Sequence, residues 1–116
     1  MSARYGYYLP LAENTFEEVR FLGLAPKTEG VGTEATQRRD KDGLPQWVLT
    51  ALVKFDGGRP ETESFTLSAS EEDAARAAKV PELTPIALVG LVGGKWSRSG
   101  SDRTEWSFQV TGFRVL

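Results

Sequence analysis

The 116-residue sequence contains no cysteine and no histidine. The first absence excludes disulfides and thiol nucleophiles. Together the two exclude Ser-His and Cys-His pairs and the usual zinc sites, so only an all-carboxylate metal site would remain. No apolar run approaches the ~20 residues that cross a bilayer, and the opening "MSARYGYYLPLAENT" lacks the long apolar stretch of a signal peptide. The expectation is therefore a cytoplasmic protein with no membrane partner. A strong excess of either charge is missing too: 14 Lys and Arg stand against 16 Asp and Glu, a net −2. With no global positive field to draw a polyanion, any nucleic-acid site has to be local. There is also no internal repeat, and no glycine-rich phosphate cradle opens a helix.

What is present describes one globular domain, with 40% hydrophobic and 26% charged residues. "FEEVRFLGLA", residues 16 to 25, reads as a first strand stopped by Pro26, which has no N–H for a ladder. Residues 27 to 43 form a long polar connection that ends in "DKDG", where Gly43 supplies turn chemistry. "QWVLTALVKF" then alternates, with Trp47, Leu49, Ala51, Val53 and Phe55 on the core side. After the turn "DGGRP", "ETESFTLSA" puts Phe65, Leu67 and Ala69 inward and Ser64, Thr66 and Ser68 toward solvent. "SEEDAARAAK", residues 70 to 79, has a Ser70 cap and three acids at the positive end of a helix dipole, and reads as a short helix. "TPIALVGLVGG" is a nearly continuous apolar strand. "TEWSFQVTGFRVL" closes the chain with Trp106, Phe108 and Val110 inward.

Five short strands with one helix between the third and fourth is the order of a Greek-key oligonucleotide- and oligosaccharide-binding (OB-fold) barrel. The expected class is all-β with one short helix. Residues 1 to 13 form an N-terminal arm and 14 to 116 the OB-fold domain. The competing architecture is an open sheet or small sandwich that recruits extra strands from the arm, whose Tyr5, Tyr7 and Tyr8 could pack on the barrel or clasp a second subunit. The spacing of "EVRFLGLAP", "QWVLTALVKF", "ESFTLSA" and "SFQVTGFRVL" resembles small OB-fold single-stranded DNA-binding-like proteins of bacterial plasmids, phages and integrative elements. That resemblance implies a protein that coats or escorts single-stranded DNA with little sequence preference during replication or transfer of a mobile element, and that forms homo-oligomers.

Single-strand binders combine aromatic platforms for bases with cations for phosphates. The aromatics on strand core faces are spoken for by packing, which leaves Trp96 as the candidate platform. Lys95, Arg98 and Arg103 lie on the same hairpin, Arg38 and Arg39 lie in the long connection, and Lys54 is on an outward strand position. Glu34, Asp40 and Asp42 are close enough in sequence to Arg38 and Arg39 to pair with them instead. Carboxylates do occur together at Glu61 and Glu63 and at Glu71, Glu72 and Asp73, but the first pair borders a turn and the triplet complements a helix dipole. No catalytic residue, metal site or cofactor is expected. The alternative from another class is an OB-like protein-interaction or assembly module with no nucleic-acid role, which exposed apolar edges would favour.

Overall fold

The computed structural model describes residues 4–12, 15–30, 32–55, 57–98 and 104–116, with side chains from 9–12, 15–30, 32–55, 57–94 and 107–116. In chain order the elements are β1 (Arg4–Pro10), β2 (Glu18–Pro26), β3 (Thr28–Glu29), β4 (Thr36–Gln37), β5 (Gln46–Lys54), β6 (Pro60–Ser68), α1 (Glu71–Ala77), β7 (Ile86–Val89), β8 (Val92–Arg98), β9 (Thr104–Val110) and β10 (Gly112–Val115). The protein is mostly β with one helix. Among the described residues no helix is long and apolar enough to cross a membrane.

Six strands form one mixed sheet in the order β1-β8-β9-β6-β5-β2. All neighbours run antiparallel except β6 and β9, which pair in parallel through Phe65↔Phe108, Thr66↔Gln109 and Leu67↔Val110. Period-two alternation builds the core on one face of this sheet. Leu49, Ala51 and Val53 of β5 are buried, as are Phe65 and Leu67 of β6 and Val19 and Phe21 of β2. Phe16 seals one end by edge contacts to Phe65 and Phe108, with ring centroids 5.8 and 5.9 Å away. Each fully buried side chain of this size contributes about 1.5–3 kcal/mol. Phe55, expected on the core side, is instead 40% exposed. It lies just past the end of β5, where its carbonyl accepts from Gly58 N, so only one side of its ring reaches the core, against Phe16.

The apolar run 84 to 94 and the last strand are each divided. Val92↔Gln109 and Val89↔Gly112 keep one register, so β7–β8 and β9–β10 are two arms of a single hairpin bent at Gly90 and Thr111. The bend carries β7 and β10 off the β6-β9-β8 ladder and toward β2, the opposite edge of the six-stranded sheet. There Pro85 bridges Arg20, Phe21 N donates to Thr84 O (2.9 Å), and Leu83 N donates to Phe21 O (2.7 Å). Leu83 holds a left-handed φ of 67°, uncommon for a branched side chain. The ends of the assembly therefore approach each other without a continuous ladder, and the sheet is not closed. A slot of about 290 Å³, lined by Phe16, Val19, Ile86 and Leu88, remains at the seam.

Residues 4–10 of the arm pair along all of β8 and form the sheet's edge strand. Within the long connection, β3 and β4 make a two-residue ladder, and Gly43 takes φ 84° at the turn. Helix α1 starts after Ser70, whose Oγ accepts from Asp73 N (3.2 Å), and it buries Ala74.

Candidate functional site

The outer face of β5 and β6, opposite the core, carries Thr50, Leu52, Thr62, Ser64 and Thr66. Its strand directions fix where the expected cations fall. Gln46 N donates to Arg38 O, which sets Arg38 beside the start of β5, whereas Lys54 ends the same strand. Eight residues at ~3.3 Å rise separate those two levels by about 26 Å. Lys54 is paired with Glu17 at 3.7 Å in an exposed contact that stabilises by no more than about 1 kcal/mol. Because β9 runs parallel to β6, the end of the β8–β9 hairpin at Arg98 and Thr104, where the chain turns back, lies at the Lys54 level. The candidates thus form two groups: Arg38 and Arg39 at one end of the face, Lys54 and the hairpin end at the other.

Lys95, Trp96 and Arg98 belong to β8. Trp96 is paired with Gly6 of β1 and Glu105 of β9, Lys95 with Tyr7 and Trp106, and Arg98 with Arg4. Trp96 therefore sits within the ladder, between two strands. The side chains of these three residues and of Trp106 lie outside the described set, as does Arg103 altogether.

Arg38 and Arg39 are both exposed. Among the described residues neither forms an ion pair with Glu34, Asp40 or Asp42; Arg39 Nη1 donates instead to Gly43 O (2.7 Å). The reason is that Asp40 faces inward on its own loop: its Oδ1 accepts from Asp42 N (2.9 Å) and Leu44 N (3.0 Å). Desolvation acts to raise the Asp40 pKa, but the hydrogen bonds from Leu44 N, the Ser68 side chain, and the backbones of Asp42 and Gly43 outweigh it. The carboxyl therefore titrates below its ordinary value and is ionised at neutral pH.

Beneath this loop the outer face holds a cleft of about 390 Å³, within the range of small-ligand sites. Thr66 forms its floor and, contrary to the solvent-facing expectation, is only 9% exposed. Two things cover it: Lys27 Nζ donates to its Oγ1 (2.7 Å), and Gln109 is its parallel-register neighbour. Leu44 and Val92 supply apolar walls; Gln46, Gln109, Ser68 and Asp40 supply polar groups. Sequence reasoning places Thr66, with Thr50 and Lys54, on the outward face as a candidate groove lining, but misses Gln46 and Gln109 beside it. Alternation assigns Thr66 and Gln109 outward positions, but nothing in the chain announces that β6 and β9 become neighbours.

A second cleft, about 510 Å³ and more apolar, lies between α1 and β10 and shares Leu44, Ser68 and Thr111 with the first. Among the described residues no cluster of three or more His, Cys, Asp or Glu is placed to hold a metal ion. Comparison with protein-family models, with curated proteins and with solved structures finds no match.

Proposed function

We propose that the protein is a non-catalytic OB-type module that binds single-stranded DNA across the outer face of β5 and β6. The observation that carries this reading is the strand order. β2-β5-β6-β9-β8 is the order first, second, third, fifth, fourth of a Greek-key barrel, with α1 between the third and fourth strands and with Pro85 leading back to β2. In such a barrel the second and third strands and the loops after the first and fourth strands make the ligand face. Here those are β5, β6, the 27–45 connection with Arg38 and Arg39, and the β8–β9 hairpin with Lys95, Trp96, Arg98 and Arg103. Lys54 borders the same face. Arginines at one rim and cations at the other suit a strand whose phosphates follow the rims and whose bases lie inward. The acidic remainder keeps affinity modest and salt-dependent, with a slope of about −0.7 in log K against log salt per phosphate neutralised. A role in replication or transfer of a mobile element, and assembly into a homo-oligomer, belong to the same proposal.

Intrinsic tryptophan fluorescence, titrated with an oligo-dT strand and with a duplex at low and moderate salt, tests it. The expected result is salt-reversible quenching by the single strand, lost in Trp96→Ala. Unchanged fluorescence and unchanged electrophoretic mobility at low salt would sink it.

One observation favours a second reading, an assembly module that binds protein. Leu83, Val115 and Leu116 are exposed, Leu116 by 76%, and they gather near the seam where Leu116 N donates to Pro85 O. Among the described residues β1 and β10 each pair on one side only, and open edges of that kind accept another strand.

A further inference from the structure

We infer that the cleft beneath the 38–45 loop is a base-reading subsite that prefers bases bearing an exocyclic amine, cytosine over thymine, giving the protein a sequence preference. This rests on the single-strand reading above and specifies what one part of that face recognises.

Three features of the cleft point to a planar, hydrogen-bonding, uncharged group. Its walls, Leu44 and Val92, are apolar and suited to the faces of a ring. Its polar rim includes the side-chain amides of Gln46 and Gln109, and among the described residues no partner engages either amide. Each amide offers a donor and an acceptor in one plane, the arrangement that reads the edge of a base in bidentate fashion. Third, Asp40 is the one ionised residue among those lining the cleft, the Lys27 ammonium being engaged with the Thr66 hydroxyl of the floor, and its carboxylate repels phosphate and carbonyl oxygens and attracts N–H donors.

The surroundings fit a nucleotide better than an isolated ring. Arg38 and Arg39 immediately precede Asp40 and are exposed, so a phosphate held at the loop's outer side leaves the attached base next to the cleft mouth. Cytosine presents N4–H₂ beside the N3 acceptor. The amine meets Asp40 or an amide oxygen, and N3 meets an amide N–H₂. Thymine presents the O4 carbonyl where the amine would be, toward the carboxylate. The two pyrimidines stack alike, so comparing them isolates the edge contacts.

The test is fluorescence anisotropy of labelled oligo-dC and oligo-dT of equal length, with the wild type, Gln109→Leu and Gln46→Leu, each at several salt concentrations. Wild type is expected to bind dC about tenfold more tightly than dT, the discrimination of one good bidentate contact. Each leucine variant should bring that ratio near unity while leaving the salt slope unchanged, because the phosphate contacts are elsewhere. Equal binding of dC and dT by wild type, or a ratio retained in both variants, overturns the base-reading subsite and leaves single-strand binding standing. Failure to bind either oligonucleotide at low salt overturns both.

Discussion

Phe65→Ala is expected to destabilise the protein by about 3–5 kcal/mol, measured as the loss of unfolding free energy in urea. Phe65 is 1% exposed and central to the core in two directions. It stands opposite Leu49 across the antiparallel pair and opposite Phe108 across the parallel one. Its ring meets Phe16 edge-on at 5.8 Å and Phe108 at 5.7 Å. Truncation removes the transfer free energy of the ring and leaves a cavity that strands on both sides cannot close. Since a domain of this size has a total stability of about 5–15 kcal/mol, the variant should be marginally folded. Phe55→Ala, at a rim position, should cost less than about 1.5 kcal/mol. Similar losses for the two would contradict the placement of the core.

Gly90→Ala is expected to cost about 2–3 kcal/mol by the same measurement. Gly90 has φ 66°, a left-handed conformation that costs an L-residue about 1–2 kcal/mol. A Cβ at that position would also lie 2.4 Å from Thr111 Oγ1 and 2.9 Å from its Cγ2. Thr111 would have to turn away and lose the hydrogen bond that its hydroxyl donates to Val89 O (3.1 Å). Both effects fall on the corner where the long hairpin leaves the sheet for β2. Gly112, the register partner of Val89, is the control: a Cβ there meets nothing within 4 Å and its φ is not left-handed. Gly112→Ala should change stability by less than about 0.5 kcal/mol. Equal effects would mean that the corner is not built as described.

These two sites also mark what the sequence does and does not disclose. The alternation of "QWVLTALVKF" correctly puts Leu49, Ala51 and Val53 in the core, because a strand with one wet face leaves a period-two trace. The Ser70 cap and the acids after it announce α1, since capping and dipole effects are local. Gly43 at φ 84° was legible for the same reason. Gly90 is visible as a glycine in an apolar run, but not as a corner: its consequence depends on Thr111, its neighbour across the hairpin. Phe55 continues the alternation on paper and leaves the core only because the chain turns at Gly58.

The site was less legible than the core. Exposed cations have no periodicity to constrain them, so sequence placed Arg38, Arg39 and Lys54 around one groove without revealing the separation along β5. Asp40 looked like a neutralising partner for the arginines, whereas the loop turns its carboxylate onto Leu44 N and Asp42 N. The cleft itself is formed by a parallel pairing between residues about forty apart in the chain, Thr66 and Gln109, with a loop folded over them. Non-local proximity of this kind leaves no mark in either segment. Uncharged polar residues such as Gln46 and Gln109 also draw no attention in a search for cations and aromatics.

The most direct measurement of the central claim, single-strand binding on the outer face, is a titration of backbone amide NMR shifts with an unlabelled single strand at low salt. The expected pattern is a contiguous set of perturbed amides on β5, β6 and the loop from Arg38 to Leu44, extending to β8 and β9, with α1 and β10 unaffected. Shifts confined to β10, Leu83 and the seam, or no shifts at all, would contradict it.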